Sequence, residues 1–264
     1  MPFRLGTNRI GRLVVGSTLP PPPPSSGLIG WFDAADYTSG ATWTDKSVNG
    51  LDLTLSGTYA LDVSTLGGPS LNISNGFGVS STTALISGTT GTEYTHIEIV
   101  RPTTLATADA TFAIAANNSG DDPNSISGYK LGNSAYIGYL VTASGGKRIY
   151  LGTGANLYTT TETFFVSRRV GYDTPGLGTN PIFSVGTNLA TLTHYTSSGD
   201  YTAAGAYNEY NLGSAGVMVV AAGVSSGNYK CPGYYAVNLF YDRFLSDAEV
   251  QQVYDYYKTT YSLA

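Results

Sequence analysis

From Leu28 onward the chain is cut into short runs of β-branched and aromatic residues, each closed by a cluster of Gly, Asn, Ser, Asp or Pro. LIGWFDAA, LDLTL, YTHIEIVRP, TFAIAA, KRIYLG, TFFVSRRV, PIFSVG, VMVVAAGV and YAVNLFYDRF are nine such runs. SVNG, SGTTGT, NNSGDDPNS, ASGG and TPGLGTN separate them. The separators are turn chemistry: Gly reaches positive φ, Asn and Asp bond their own backbone, and Pro presets φ. With no helical period between the runs, the parallel sheets of α/β folds are excluded, because their crossovers need helices. Antiparallel sheets remain, and the length suits one large all-β domain better than two small ones.

A helix is expected only at the end. In FLSDAEVQQVYDYYKTTY, Ser246 stands three residues before Glu249, the spacing of a capping box, and Leu245 and Val250 occupy the positions of a hydrophobic staple. Val250, Val253, Tyr254 and Tyr257 then follow at i, i+3, i+4 and i+7 and make one apolar face.

Residues 1–26 have a different character. Phe3, Leu13, Val14 and Val15 give residues 1–19 the look of an extended arm. Arg4, Arg9 and Arg12 give it three positive charges and no acid, whereas the remaining 10 basic and 18 acidic residues leave the body at −8. Three arginines are too few to argue for nucleic acid, so an acidic protein surface is the expected partner. Pro20 to Pro24 form a polyproline II rod of about 15 Å, which cannot enter a sheet interior for want of N–H donors. The expected organisation is an attachment arm over 1–19, a linker over 20–26 and a domain over 27–264. IGRLVVGSTL is too short and too polar for the apolar core of a signal peptide, and no stretch reaches the ~20 apolar residues of a membrane helix. The expectation is a protein that is not inserted in a membrane and that reaches the exterior inside a particle.

GLIGWFDAADYTSGATWTDKSVNGLDLTLSG resembles the opening of laminin-G/concanavalin A-like jelly-roll domains. These begin with Gly-Leu-hydrophobic-x-Trp-x-Asp, here Gly27–Asp33, and continue with Trp-x-Asp-x-Ser-x-Asn-Gly, here Trp43–Gly50. YAVNLFYDRFLSDAEVQQVYDYY is similar to their last strand, which runs into a Leu-Ser-Asp-x-Glu helix start. TFFVSRRV, PIFSVGTNLATLT and YNLGS fall where such domains carry further strands, so the resemblance spans about residues 27–262. It implies an all-β, two-sheet antiparallel jelly-roll sandwich, a fold shared by lectins, glycoside hydrolases, adhesion modules and phage structural proteins. RLGTNRIGRLVVGSTLP resembles short N-terminal peptides of tailed-phage virion and tail proteins.

The chemistry-bearing residues are sparse. The hydrolase branch of the fold carries Glu-x-Asp-x-x-Glu on one strand, but Glu98 in HIEIV has no acid at i+2 or i+5. There is no Gly-x-Ser-x-Gly elbow, Cys-His pair or phosphate loop. His96 and His194 have no second ligand at metal spacing, and Cys231 is the sole cysteine, which excludes an intrachain disulfide. Calcium could draw on Asp121, Asp122 and Asn124, or on Asp45 and Asn49, although turn formation explains the same residues. No cofactor and no enzymatic activity are expected.

Charged residues are 12% of the chain, against ~25% in an average domain, and Tyr is present 21 times. Tyr joins apolar area to a polar tip, which suits contact with sugars as well as sheet faces. Trp31 is expected in the core and Trp43, beside a loop, at the surface. Trp43, Tyr201 and Tyr207 are therefore the candidate glycan contacts. The sequence points first to a phage virion structural protein, as a decoration, fibre or tail component. Its arm residues Phe3, Arg4, Arg9, Arg12, Leu13, Val14 and Val15 would anchor it to a capsid or tail partner, and three copies would cluster. The alternative is a carbohydrate-binding lectin or adhesin, and the third reading is a glycoside hydrolase.

Overall fold

The fold is built around a pairing of the two ends of the domain. Strand β1 (Leu28–Asp33) runs antiparallel to the last strand, β13 (Gly233–Tyr241), with Trp31 opposite Leu239 and Phe32 opposite Asn238. Between them lie β2 (Thr42–Trp43), β3 (Leu53–Asp62), β4 (Ser70–Ser80), β5 (Tyr94–Pro102), β6 (Asp109–Ala115), β7 (Ser125–Leu131), β8 (Ser134–Gly138), β9 (Phe164–Arg169), β10 (Ile182–Val185), β11 (Thr193–Tyr195) and β12 (Val217–Val220). Helix α1 (Asp247–Lys258) follows β13. This computed structural model describes residues 19–81, 94–103, 109–115, 125–131, 134–138, 164–169, 182–185, 193–195, 217–222 and 230–263.

The strands form one hydrogen-bonded sheet in the order β11-β10-β9-β5-β13-β4-β12-β6-β7-β8, with β1 added to β13 and β2-β3 added to β4. Strand β13 is where this sheet folds into two layers. Its Gly233–Tyr235 segment pairs with β4, whereas Val237–Tyr241 pairs with β1. The change of neighbour coincides with a bulge between Tyr235 and Val237. An extra residue there sharpens the local twist and lets a strand serve two sheets.

Strand pleat then assigns the faces. In the back layer (β1, β13, β5, β9), Phe32, Phe240 and His96 point one way. In the front layer (β2, β3, β4, β12, β6), Trp43, Leu53, Phe112 and Val220 point back toward them. Edge-to-face contacts cross the gap, Phe32 to Trp43 at 6.0 Å and Phe112 to Phe240 at 6.2 Å between ring centroids. Gly30 in β1 leaves space for the Met218 thioether, since a Cβ there would lie 2.6 Å from Met218 Sδ.

The opposite face of the back layer is covered by α1. Val250, Val253, Tyr254 and Tyr257 pack with Ile97, Ile99, Phe164, Val166, Leu239 and Tyr241, the helical face the sequence predicts. Burial of each such side chain contributes about 1.5–3 kcal/mol. The capping box is present in both directions, with Glu249 N donating to Ser246 Oγ at 3.3 Å and Ser246 N to Glu249 Oε2 at 2.9 Å. The layer order is thus α1, back sheet, aromatic core, front sheet, which is the jelly-roll sandwich expected from the sequence.

The proline segment, expected as a linker, is seated on the domain: Pro23 is buried and Gln252 Nε2 donates to the Pro22 carbonyl. Proline carbonyls are strong acceptors, and a half-buried helix glutamine supplies the donor that the segment lacks. Strands β2, β4, β7, β8 and β11 are not among the nine expected runs, and the expected run KRIYLG lies outside the described residues.

Candidate functional site

The segment Trp43–Gly50 reads as a binding loop but is built as a structural one. Asp45 is buried, and its carboxylate accepts four hydrogen bonds. Trp31 N and Ser47 N donate to Oδ1 at 2.8 Å each. Ser47 Oγ donates to Oδ2 at 2.7 Å and Leu51 N at 2.9 Å. Asn49 turns its amide nitrogen to the Leu28 and Ile29 carbonyls at 3.0 and 3.2 Å. Both carboxylate oxygens of Asp45 therefore accept protein donors, one of them the Trp31 N–H of β1, and Asn49 holds β1 through its amide nitrogen. Asp121, Asp122 and Asn124 lie outside the described residues. Among the described residues, no group of three or more His, Cys, Asp or Glu side chains could hold a metal ion.

The two tryptophans exchange roles. Trp43 is fully buried between the layers, against Phe32, and its Nε1 has no hydrogen-bond partner among the described residues. It cannot touch a glycan at the surface. The cause is the pleat: in ATWTDK, Trp43 and Asp45 alternate inward while Thr42 and Thr44 face solvent. Trp31 faces the α1 side instead and is half-buried. Its Nε1 donates to Tyr257 Oη at 2.7 Å, and Tyr257 and Tyr261 each lie 3.2 Å from an oxygen of Asp33. Lys46 Nζ sits 4.5 Å from the Trp31 ring centroid and pairs with Asp33 and Asp36. Burial opposes the Lys46 charge, but the Asp36 hydrogen bond and the Asp33 and Asp36 charges outweigh it and raise its pKa. The cation covers the ring face that a sugar would need.

His96 and Glu98 face the interior. The His96 ring lies 3.6 Å from the Phe112 centroid and 4.5 Å from that of Phe240, with Nε2 3.2 Å from Asn238 Oδ1. Burial pushes its pKa down to about 3, against a smaller upward pull from Asn238. Glu98 Oε1 accepts from Thr111 Oγ1 at 2.8 Å, and the residue is 1% exposed. Both are core groups, closed off from any surface substrate.

What remains is the outer face of the front sheet. Thr54 and Ser56 of β3, Phe77 and Val79 of β4, and Val217 and Val219 of β12 share it through the registers Thr54–Val79, Ser56–Phe77 and Val219–Val79. Val217, Val219 and Ala222 are buried there, Phe77 and Val79 are half-buried against them, and Thr54 and Ser56 are exposed. At one end, Lys230 Nζ donates to Asn75 Oδ1 at 3.0 Å and stands 5.9 Å from the Phe77 ring centroid. Gly57, at φ +85, and Gly76 let β3 and β4 close up beside this corner, where neither position has room for a Cβ. The result is an aromatic ring flanked by an amide, an ammonium and hydroxyls. Sequence reading missed it because SLNISNGFGVS looks like a turn, and its alternation shows only once the strand is paired. Tyr201, Tyr207 and the arm residues Phe3, Arg4, Arg9, Arg12, Leu13, Val14 and Val15 lie outside the described residues.

No protein-family profile matches the chain, and no curated protein does. Solved structures do match in fold. Domain 4 of AbnA, an extracellular GH43 arabinanase of Geobacillus stearothermophilus solved with arabinotriose, aligns with TM-score 0.57 at 15% identity, over 86% of this chain and 98% of that domain. A Trypanosoma rangeli sialidase with sialic acid gives 0.53 at 13% identity, over 92% of this chain and 36% of the sialidase. The binding domain of botulinum neurotoxin DC with SialylT gives 0.50 at 9%, over 88% and 52%. At such identities the likeness is one of β-sandwich architecture.

Proposed function

We propose that this domain binds carbohydrate, without turning it over, through the outer face of its front sheet at Phe77, Asn75 and Lys230. The observation that carries the reading is the half-buried Phe77 ring with a polar donor set at its edge. An aromatic ring packs on the C–H face of a sugar, while an amide and an ammonium bond its hydroxyls or a carboxylate; a few convergent polar groups on apolar ground are what small-ligand sites require. Three fold neighbours were solved with sugars, and one of them, the arabinanase domain, is matched over nearly its whole length. A catalytic role has less behind it, because Glu98 is sealed between the layers.

A glycan array probed with the full chain and with Phe77→Ala tests the reading. Saturable binding that falls at least about tenfold in the variant supports it, since an aromatic anchor is typically worth more than ~1.4 kcal/mol. Binding indifferent to Phe77→Ala and Lys230→Ala removes the site from this face. The phage virion role is a separate reading resting on residues 1–26; the seated proline segment favours a built attachment lead, and co-sedimentation with particles lacking the protein tests it.

A further inference from the structure

We propose that residues 20–26 are a strap that fixes Leu19 beside α1, across the sandwich from the front-sheet face. A polyproline II helix has three residues per turn, so a rod lying on a surface presents every third residue to it. The prolines show this period: Pro20 is half-buried, Pro21 and Pro22 are exposed, Pro23 is buried and Pro24 is half-buried. A rod projecting into solvent would expose all five.

The polar contacts follow the same logic. Prolines offer only carbonyls, and the domain supplies side-chain donors to the segment at two points. Gln252 of α1 donates to Pro22 O, and Arg243 Nε donates to Ser26 O at 2.7 Å. Arg243 is itself held by a two-pronged bond to Glu249, at 2.7 and 3.1 Å, and Glu249 closes the α1 cap on Ser246. Two backbone bonds complete the seat, Leu28 N to Ser25 O at 3.3 Å and Asp242 N to Gly27 O at 2.9 Å. Ordering this segment costs little, because proline has already surrendered most of its backbone freedom. Leu19, at the N-terminal end of this seat, is 86% exposed. The functional consequence, that the sugar face and Leu19 lie on opposite sides of the sandwich, rests on the carbohydrate reading; the strap does not.

The test is a distance measurement by pulsed electron spin resonance on the full chain, with nitroxides at Leu19→Cys and Ala248→Cys in a Cys231→Ala background. The strap predicts a single narrow distance distribution, broadened about twofold or more by Pro23→Ser combined with Gln252→Ala. A broad distribution in the parent, like that of a free chain, overturns the strap. So does a narrow one that the double substitution leaves unchanged. Glycan binding by the same proteins is an independent readout: a narrow distance without sugar binding sinks only the carbohydrate reading, and sugar binding with a broad distance sinks only the strap.

Discussion

Trp31 Nε1 donates to Tyr257 Oη across 226 positions of sequence, so the first strand and the last helix are joined by one 2.7 Å hydrogen bond. Tyr257 passes the connection to Asp33, which Tyr261 also reaches. The Trp-x-Asp pair of the opening run and the tyrosines of the closing helix are two halves of a single clasp.

Tyr257→Phe removes the acceptor of Trp31 and a partner of Asp33 without changing the packed ring. A loss of about 1–3 kcal/mol is expected in urea unfolding, with Trp31→Phe costing about 1. The double substitution should cost less than the sum, because both singles break the same bond. Strict additivity would dissolve the clasp.

His96 makes the fold acid-sensitive. Its folded pKa of about 3 lies below its ordinary 6.5, so the unfolded chain takes up a proton that the folded one refuses. The stability tied to the neutral ring is complete above pH 6.5 and is lost as pH falls from there toward 3, about 3 kcal/mol by pH 4. Glu249 adds a lower window. The Arg243 hydrogen bond holds its pKa at about 2, so its contribution is present above its usual 4.5 and lost below that. Unfolding curves at pH 7 and pH 4.5 should converge in His96→Phe relative to the parent. Equal pH dependence in both would remove His96 as the sensor.

Gly57 and Gly40 separate backbone strain from steric overlap. Both have positive φ, +85 and +89, but Gly40 faces open space whereas a Cβ on Gly57 would run into the Asn75 carbonyl. Gly40→Ala should cost about 1 kcal/mol and Gly57→Ala about 3 or more. Similar urea midpoints for the two variants would contradict the close approach of β3 and β4.

Asp45→Asn keeps the shape of the loop anchor and removes acceptors for two of four donors, for an expected loss of about 2 kcal/mol. Because protein donors already occupy the carboxylate, a chelator should leave the parent Tm where it is. A chelator-induced fall would reassign this loop to cation binding.

The ends of the chain were the legible part. Ser246, Glu249, Val250 and Tyr257 act through local spacing, and local spacing is visible in a sequence. Trp43 was misread because a tryptophan next to SVNG looks exposed until β2 is paired with β3, when Leu53 comes opposite and turns it inward. Phe77 was missed for the converse reason. Its neighbours Asn75, Gly76 and Gly78 are turn residues by composition, and here they serve close strand packing. The seat of the prolines was equally invisible, since Gln252 lies 230 positions from Pro22.

That seat also sets how the domain would bear a load. A pull applied at Leu19 meets the Gln252 bond at Pro22 first, then the Arg243 bond at Ser26, and only afterwards the ladder between β1 and β13. Tension along the lead is therefore passed to α1 and its cap before any sheet hydrogen bond is stressed. The proline segment works as a strain relief, leaving the aromatic core and the front sheet unloaded under small forces.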